Sequence, residues 1–258
     1  MTTQPAHRVL AQSFNTVAAQ YAAARPGYPA ELFDAVEEIT GRPFAGATVL
    51  DVGAGTGIAT ALIRARGANV TAVEPGAGMA AQLRAGQPGV PLVRGDGDAL
   101  PFASGVADYV TYAQAWHWTD PAASVPEAVR VLRPGGALAL WWNVPDMSAD
   151  WVREQEDRLA RVVPQYHENG LTGTAQDILR SLGPRLGTRS ANRVLPWTRT
   201  VPMDTHLAML GSRSYFAVLA PDAARRILDE ERRELLALFP DGRVAEPYKV
   251  DLTVAIKA

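Results

Sequence analysis

The sequence predicts an α/β fold in which parallel strands alternate with helices, and three observations predict it. An apolar segment at 49–52 enters three glycines at 53, 55 and 57, and the segment from Ile58 to Arg66 has a helical pattern. A second strand is expected at 68–74, ending in Glu74. The length of 258 residues, 47% of them hydrophobic, is enough for one such domain with additions.

The glycine-rich turn is the first candidate for a ligand site. Glycine adopts positive φ and lets a ligand approach the backbone closely. The helix that follows directs unpaired N–H groups toward the same place. Glu74 lies 21 residues after Gly53, about where an acidic side chain binds a ribose diol in nucleotide-binding βαβ units. A tight turn without a ligand is the alternative that this pattern alone leaves open.

The remaining elements continue the alternation along the chain. Helices are expected at 8–24, 30–39, 75–85 and 121–132, and strands at 90–94, 107–113 and 137–142, with a helix stop and turn at 132–136. Beyond residue 143, helices are expected at 150–163, 170–183 and 221–239, and strands at 191–201 and 248–256. Because no linker or internal repeat interrupts the chain, we expect a single domain.

Composition and charge narrow the class of partner. A net charge of −2 without runs of like charge argues against nucleic acid. No segment approaches the roughly 20 apolar residues of a membrane span, and the first residues do not resemble a signal peptide, so we expect a cytoplasmic protein that does not bind membranes. The chain has no cysteine and four scattered histidines, which gives no support for a metal site. We expect a small-molecule partner and a monomer or homodimer.

Four motifs resemble those of the class I S-adenosylmethionine (SAM) dependent methyltransferases, type 11, including trans-aconitate and natural-product methyltransferases. They are Asp51 with the Gly-x-Gly-x-Gly loop, Gly-Asp-Gly-Asp-Ala-Leu-Pro-Phe at 95–102, Val-Leu-Arg-Pro-Gly-Gly-Ala-Leu at 131–138, and the N-terminal series Phe14, Tyr21 and Arg25-Pro-Gly-Tyr-Pro. The resemblance covers 14–143. It implies a Rossmann-like, seven-stranded, mostly parallel sheet of order 3-2-1-4-5-7-6 with an antiparallel last strand, helices on both faces and a helical cap.

The resemblance also implies an organisation and a cofactor site. The implied segments of the single domain are an N-terminal lid with helices (1–44), a SAM-binding core (45–143), a cap insertion (144–200), and C-terminal helices and edge strands (201–258). The cofactor is SAM, which leaves as S-adenosylhomocysteine. The residues implied to bind it are Tyr21, Arg25, Asp51, Gly53, Ala54, Gly55, Gly57, Glu74, Pro75, Met79, Asp96, Gly97, Asp98, Ala113 and Gln114.

Aromatic side chains and one histidine suggest where the methyl acceptor binds. His117 follows the strand at 107–113, at the end of the sheet where open α/β folds bind ligands. It is a candidate general base or a residue that positions the acceptor, and a histidine packed in a structural corner is the alternative. Candidate acceptor-binding residues are Tyr28, Trp116, Trp118, Trp142 and Trp197, which favour a flat or apolar molecule.

The expected reaction is in-line transfer of a methyl group to an O, N or C atom of this acceptor. Two other classes stay open. A nicotinamide-dependent oxidoreductase shares the strand, glycine loop and acidic residue, although residue 58 is Ile where the dinucleotide pattern has its third glycine. A SAM-binding protein without transferase activity would carry the same glycine and acidic motifs.

Overall fold

The computed structural model describes residues 24–163, 175, 177–179, 188–213, 215–216 and 219–258. Nearly all of the helix expected at 8–24, most of the helix expected at 170–183, and Tyr21 lie outside the described residues.

Seven strands form one sheet in the order β3-β2-β1-β4-β5-β7-β6, which confirms the expected order. The pairs β3–β2, β2–β1, β1–β4 and β4–β5 are parallel. The strands are β1 (Thr48–Val52), β2 (Asn69–Val73), β3 (Leu92–Val93), β4 (Ala107–Ala113), β5 (Leu132–Pro145), β6 (Thr188–Pro202) and β7 (Arg243–Lys257).

Helices connect most of these strands. They are α1 (Ala30–Thr40), α2 (Ile58–Ala65), α3 (Ala77–Gly86), α4 (Pro121–Val131), α5 (Asp150–Val162), α6 (Met203–Gly211) and α7 (Pro221–Leu238), with a 3-10 turn at Trp116–Trp118. Most bounds lie within a few residues of those expected. The sequence patterns did not predict α6, and β7 begins at Arg243 instead of Tyr248.

The prediction of a helix stop and turn at 132–136 is wrong, because these residues belong to β5. The pairing with β4 shifts from Ala107↔Leu132 to Tyr109↔Ala137, so the intervening residues form an irregularity inside the strand. Gly135, at a φ of 72°, supplies the left-handed conformation that this irregularity needs. The strand therefore absorbs the Pro-Gly-Gly segment without ending.

The chain divides into two compact units. In described residues, the sheet unit comprises 27–143, 175, 177–179, 188–195 and 250–258, and the helical unit comprises 24–26, 144–163, 196–213, 215–216 and 219–249. The single-domain interpretation and its segment boundaries stay predictions. No helix in the described part of the chain is long and apolar enough to cross a membrane.

The sheet unit is built around the apolar strands β1, β4 and β5. Val49, Val110 and Leu138 are completely or almost completely buried there. Aromatic rings extend this core toward α1, because Phe33 packs edge-on against both Phe44 and Trp141. The carboxyl ends of the parallel strands are thereby held by a close-packed interior.

The helical unit combines an apolar core with a buried charge network. Residues of α5, α6 and α7 supply the apolar part, including Leu159, Leu210 and Leu235. The Glu246 carboxylate, whose side chain is 3% exposed, bonds to Arg199 and, at 2.6 Å, to His206 Nδ1. Burial opposes ionisation of Glu246, but the bonds from His206 and Arg199 prevail and lower its pKa.

Candidate functional site

The glycine loop between β1 and α2 is open on one side and closely packed on the other. Gly53, Gly55 and Gly57 all have positive φ, at 66°, 58° and 89°. A Cβ at Gly53 would lie 2.5 Å from the Ala115 Cβ, so close packing requires glycine there. A Cβ at Gly55 would meet no atom of the described residues within 4 Å. Within that part of the chain, the backbone of the middle glycine is therefore uncovered, as close approach by a ligand requires.

The loop is fastened to β2 by both backbone and side chain. The N–H groups of Gly53 and Ala54 donate to the Val73 carbonyl at 2.8 and 3.1 Å. Glu74, 6% exposed, accepts the Gly55 N–H on Oε2 at 2.8 Å and the Gly76 N–H on Oε1 at 2.6 Å. Burial raises the pKa of Glu74, and the two backbone bonds oppose the shift. Glu74, which is predicted to bind the ribose, thus lies beside Gly55.

Asp51 lies beneath the loop and is completely buried. Its Oδ2 accepts the Thr60 hydroxyl at 2.6 Å and its Oδ1 accepts the Thr111 hydroxyl at 2.8 Å. Burial raises its pKa to about 6, against the effect of the two hydroxyl bonds. Asp51 ties β1 to α2 and β4 through its side chain, and its implied role in cofactor binding stays a prediction.

The acidic loop after β3 is held by its own turn and by α4. Asp96 Oδ1 accepts the Asp98 N–H at 3.0 Å, and Asp98 Oδ1 accepts the Asp120 N–H at 2.9 Å. A Cβ on the buried Gly97 would lie 2.8 Å from the Tyr112 hydroxyl, so this glycine is required for packing. Asp96 itself is exposed. These bonds account for the loop conformation, and contacts of the three residues with a cofactor stay predictions.

The other implied cofactor residues differ in exposure. Met79 in α3 is 6% exposed, whereas Pro75 lies on the surface. Ala113 and Gln114 follow at the carboxyl end of β4, and both are half-buried. Gln114 has a φ of 59°, and it is the one non-glycine residue with positive φ in the described part of the chain. Such a conformation is costly for a residue with a side chain and concentrates at functional sites.

His117 lies immediately beyond this point, in the 3-10 turn. Its Nδ1 accepts a hydrogen bond from Trp142 Nε1 at 3.2 Å, and its ring lies 4.6 Å from the Trp118 ring. Trp116, only 1% exposed, donates its indole N–H to Ser124 at 2.9 Å. The structure thus brings together His117, Trp118 and Trp142, while Trp116 packs in the core behind them.

Further candidate site residues, including Tyr28 from the segment before α1, lie at the carboxyl end of β5. Tyr28 packs edge-on against Trp141 with ring centroids 5.9 Å apart. Asn143 donates to the Gly27 carbonyl at 2.9 Å, and the Gln114 amide donates to the Asn143 carbonyl at 3.4 Å. The ends of β4 and β5 and the segment before α1 therefore form one polar and aromatic cluster.

Two predicted site residues belong to the helical unit. Arg25 donates to the hydroxyl and the carbonyl of Ser212, at 3.0 and 3.1 Å. Trp197 stacks on Tyr248 with ring centroids 5.5 Å apart. Their expected contacts with cofactor and acceptor stay predictions, and Tyr21 lies outside the described residues.

Sequence analysis missed one polar atom of the glycine loop. The Thr56 hydroxyl is buried, and it has no hydrogen-bond partner among the residues that the structure describes. A buried hydroxyl without a partner is unfavourable and is usually satisfied by water or a ligand. The only signal in the sequence is its position between the second and third glycines.

Comparison with known proteins decides the family. An uncharacterized methyltransferase of Mycobacterium tuberculosis is 34% identical over 255 residues, covering 97% of each chain. The chain belongs to the class I SAM-dependent methyltransferases of the type 11 family. The model of this methyltransferase domain matches residues 50–140, which contain the glycine loop, Glu74 and His117.

Further methyltransferases extend the comparison. An uncharacterized methyltransferase of Schizosaccharomyces pombe is 32% identical over 153 residues, covering 57% of this chain and 58% of its own. A putative type II methyltransferase from Anaeromyxobacter dehalogenans has a solved structure with a TM-score of 0.64 and 28% identity. The similarity covers 90% of this chain and 97% of that one. The methyltransferase fold therefore extends well beyond the matched domain.

Proposed function

We propose that this methyltransferase uses SAM to methylate an O, N or C atom of a small, flat or apolar organic acceptor. The observation that carries the proposal is the pairing of Glu74 with the glycine loop. The buried carboxylate accepts the Gly55 N–H at 2.8 Å, and a Cβ at Gly55 would meet no described residue within 4 Å. A ribose diol that donates to Glu74 would lie directly beside this backbone.

The residues present fit this cofactor chemically. Glu74 has lone pairs for two hydroxyl donors beyond the two backbone bonds it accepts. The buried Thr56 hydroxyl lacks a partner among the described residues and supplies a donor and an acceptor inside the loop. The amino terminus of α2, which begins at Ile58, favours an anionic group such as the carboxylate of the methionine part.

Bound SAM supplies a methyl group that is already electrophilic, since it is attached to a sulfonium. The task of the protein is therefore to hold a nucleophile in line with the bond that breaks. Positioning of this kind can lower a barrier by about 7–11 kcal/mol. The half-buried His117 and Trp118 stand at the carboxyl end of β4 and would meet the acceptor, and the buried Trp142 of β5 holds His117 from behind by its indole N–H.

Two measurements on the same preparation test this function. Calorimetry should detect binding of S-adenosylhomocysteine and no comparable binding of NADH. Incubation with methyl-labelled SAM and a panel of small aromatic and aliphatic acids, alcohols and amines should then give a labelled product. Binding without transfer to any acceptor would favour a SAM-binding protein, and preferential binding of NADH would favour an oxidoreductase.

A further inference from the structure

The residue that follows β3 holds the main chain that carries Glu74. Arg94 comes directly after β3, and the parallel pairing Val73↔Val93 brings it beside the end of β2. Its guanidinium donates from Nε to the Glu74 carbonyl at 3.1 Å and from one terminal nitrogen to the Pro75 carbonyl. One arginine thus binds two successive carbonyls just beyond the last paired residue of β2.

These two bonds complement those that the Glu74 side chain makes. The carboxylate accepts the N–H groups of Gly55 and Gly76. The guanidinium of Arg94 instead binds carbonyls, those of Glu74 itself and of Pro75. Proline has no N–H group, so its carbonyl is the main-chain polar group by which Pro75 can be held. A guanidinium suits this task because its planar fork directs several donors in fixed directions.

The backbone on both sides of Arg94 is packed closely against β2. A Cβ on Gly95 would lie 3.1 Å from Val73 Cγ1, so the chain has little room to shift there. The Glu74 N–H also donates to the Val93 carbonyl at 3.0 Å. Arg94 is exposed, but its side chain leaves from a main chain that β2 holds, and its two bonds are therefore made from a fixed position.

We propose that Arg94 is a positioning residue of the cofactor site, which fixes the end of β2 so that the Glu74 carboxylate meets the ribose hydroxyls of SAM. This inference rests on the proposed SAM-dependent function. Without the two bonds from Arg94, the segment that carries Glu74 would be free to adopt other conformations, and cofactor binding would have to restrict them again. Arg94 has this effect without touching the cofactor.

The positive charge of Arg94 has a second effect on the same carboxylate. Burial raises the pKa of Glu74, while the bonds from Gly76 and Gly55 and the charge of Arg94 lower it. The buried Asp51 of β1 repels Glu74 and opposes the effect of Arg94. Removal of the guanidinium should therefore raise the pKa of Glu74 further. On acidification, cofactor affinity should then begin to fall at a higher pH.

Calorimetry of S-adenosylhomocysteine binding between about pH 5.5 and 8.5 tests this role. At the upper pH, Arg94→Met should weaken binding about 10-fold, because hydrogen bonds from a charged group that fix the site are lost. The pH at which affinity starts to fall should also rise by about 0.5–1 unit, as expected for the loss of an exposed opposite charge. Arg94→Lys keeps the charge without the planar fork, so it should restore the pH profile and only part of the affinity.

Two further variants separate positioning from a general loss of stability. Lys257→Met is the matched control, because Lys257 also donates to two main-chain carbonyls, at 2.8 and 2.7 Å, where α4 passes into β5. It should lower the melting temperature without changing the affinity or its pH profile. Arg94→Met combined with Glu74→Gln should have the same pH profile as Glu74→Gln alone, because position 74 then has no carboxylate to titrate.

The outcomes separate this inference from the proposed function. Failure of the unmodified protein to bind S-adenosylhomocysteine would contradict the proposed function, and this inference with it. If the unmodified protein binds, an equal affinity of Arg94→Met at every pH would overturn this inference alone. An equal pH shift in the Glu74→Gln background would also overturn it, because Arg94 would then act through another group. Should Arg94→Met fail to fold, Arg94→Lys decides, since an affinity equal to that of the unmodified protein would overturn the proposal.

Discussion

The Glu74 carboxylate accepts the backbone N–H of Gly55 at 2.8 Å, across 19 positions of sequence. The end of β2 is thereby joined to the glycine loop that follows β1. Because the same carboxylate also accepts the Gly76 N–H, it has a structural role before any ligand arrives. Cofactor affinity and local stability should consequently be coupled at this residue.

Glu74→Ala should weaken S-adenosylhomocysteine binding at least about 10-fold, because two charge-assisted hydrogen bonds worth roughly 1.5–3 kcal/mol each are lost. It should also lower the melting temperature, since two backbone N–H groups lose their acceptor. Calorimetry and thermal unfolding measure the two effects. Glu37→Ala is the control: it removes a carboxylate that accepts the Phe44 N–H, and should affect stability alone. Unchanged affinity in Glu74→Ala would refute the ribose assignment.

Gly55→Ala should weaken cofactor binding, and the loss of affinity should be larger than the loss of folding stability alone would cause. The new methyl group meets no atom of the described residues within 4 Å, so among them only the positive φ opposes it, and a bound ligand would add a clash. Gly105→Ala is matched, because Gly105 has a φ of 66° and equally open surroundings in another turn. Both variants should unfold at similar urea concentrations, and calorimetry should find reduced affinity only for Gly55→Ala. Equal affinities would mean that no ligand approaches Gly55.

Asp51→Asn should change the pH dependence of stability. The pKa of Asp51 is raised to about 6, above the roughly 3.9 of an unfolded chain, so its contribution to stability is present at low pH and declines between pH 4 and 6. The variant cannot ionise. The free energy of unfolding of the variant, relative to that of the unmodified protein, should therefore rise by about 2 kcal/mol between pH 4 and 7.5. Urea unfolding of both proteins at the two pH values measures this gain, and a constant difference would contradict the raised pKa.

Glu246→Gln should strongly destabilise the helical unit. The change leaves the Arg199 guanidinium, 18% exposed, without its carboxylate and replaces the acceptor of His206. Breaking a buried pair on one side typically costs about 3–5 kcal/mol. Glu230→Gln, which removes a half-exposed partner of Arg233, should change the free energy of unfolding by less than about 0.5 kcal/mol. Similar unfolding free energies for both variants would rule out a structural role for the network.

Local patterns were enough to predict most strands of the sheet and to place Glu74 and His117 at the ends of β2 and β4. The first strand and its glycine loop, Glu74 after β2 and His117 after β4 each depend on residues close together in sequence. Apolar runs and glycine spacing encode such units directly. The strand order came from the family resemblance and is confirmed.

Contacts distant in sequence were not predictable. The Asp51–Thr111 bond requires the parallel register that places these two residues opposite each other on β1 and β4. The Trp142–His117 bond likewise depends on how the turn after β4 folds against β5. A pattern of residue types specifies neither. Helix α6 was missed because most of its side chains are buried, so it lacks the polar face that identifies an amphipathic helix.

The most direct test of methyl transfer is the stoichiometry of a single incubation with methyl-labelled SAM and the panel of acids, alcohols and amines, analysed by mass spectrometry. We predict one labelled methyl group in the product for every S-adenosylhomocysteine formed. At a SAM concentration below the dissociation constant of the unmodified protein, formation of both should fall at least about 10-fold in Glu74→Ala. Tight binding of S-adenosylhomocysteine without label in any small molecule would contradict the assignment as an active methyltransferase.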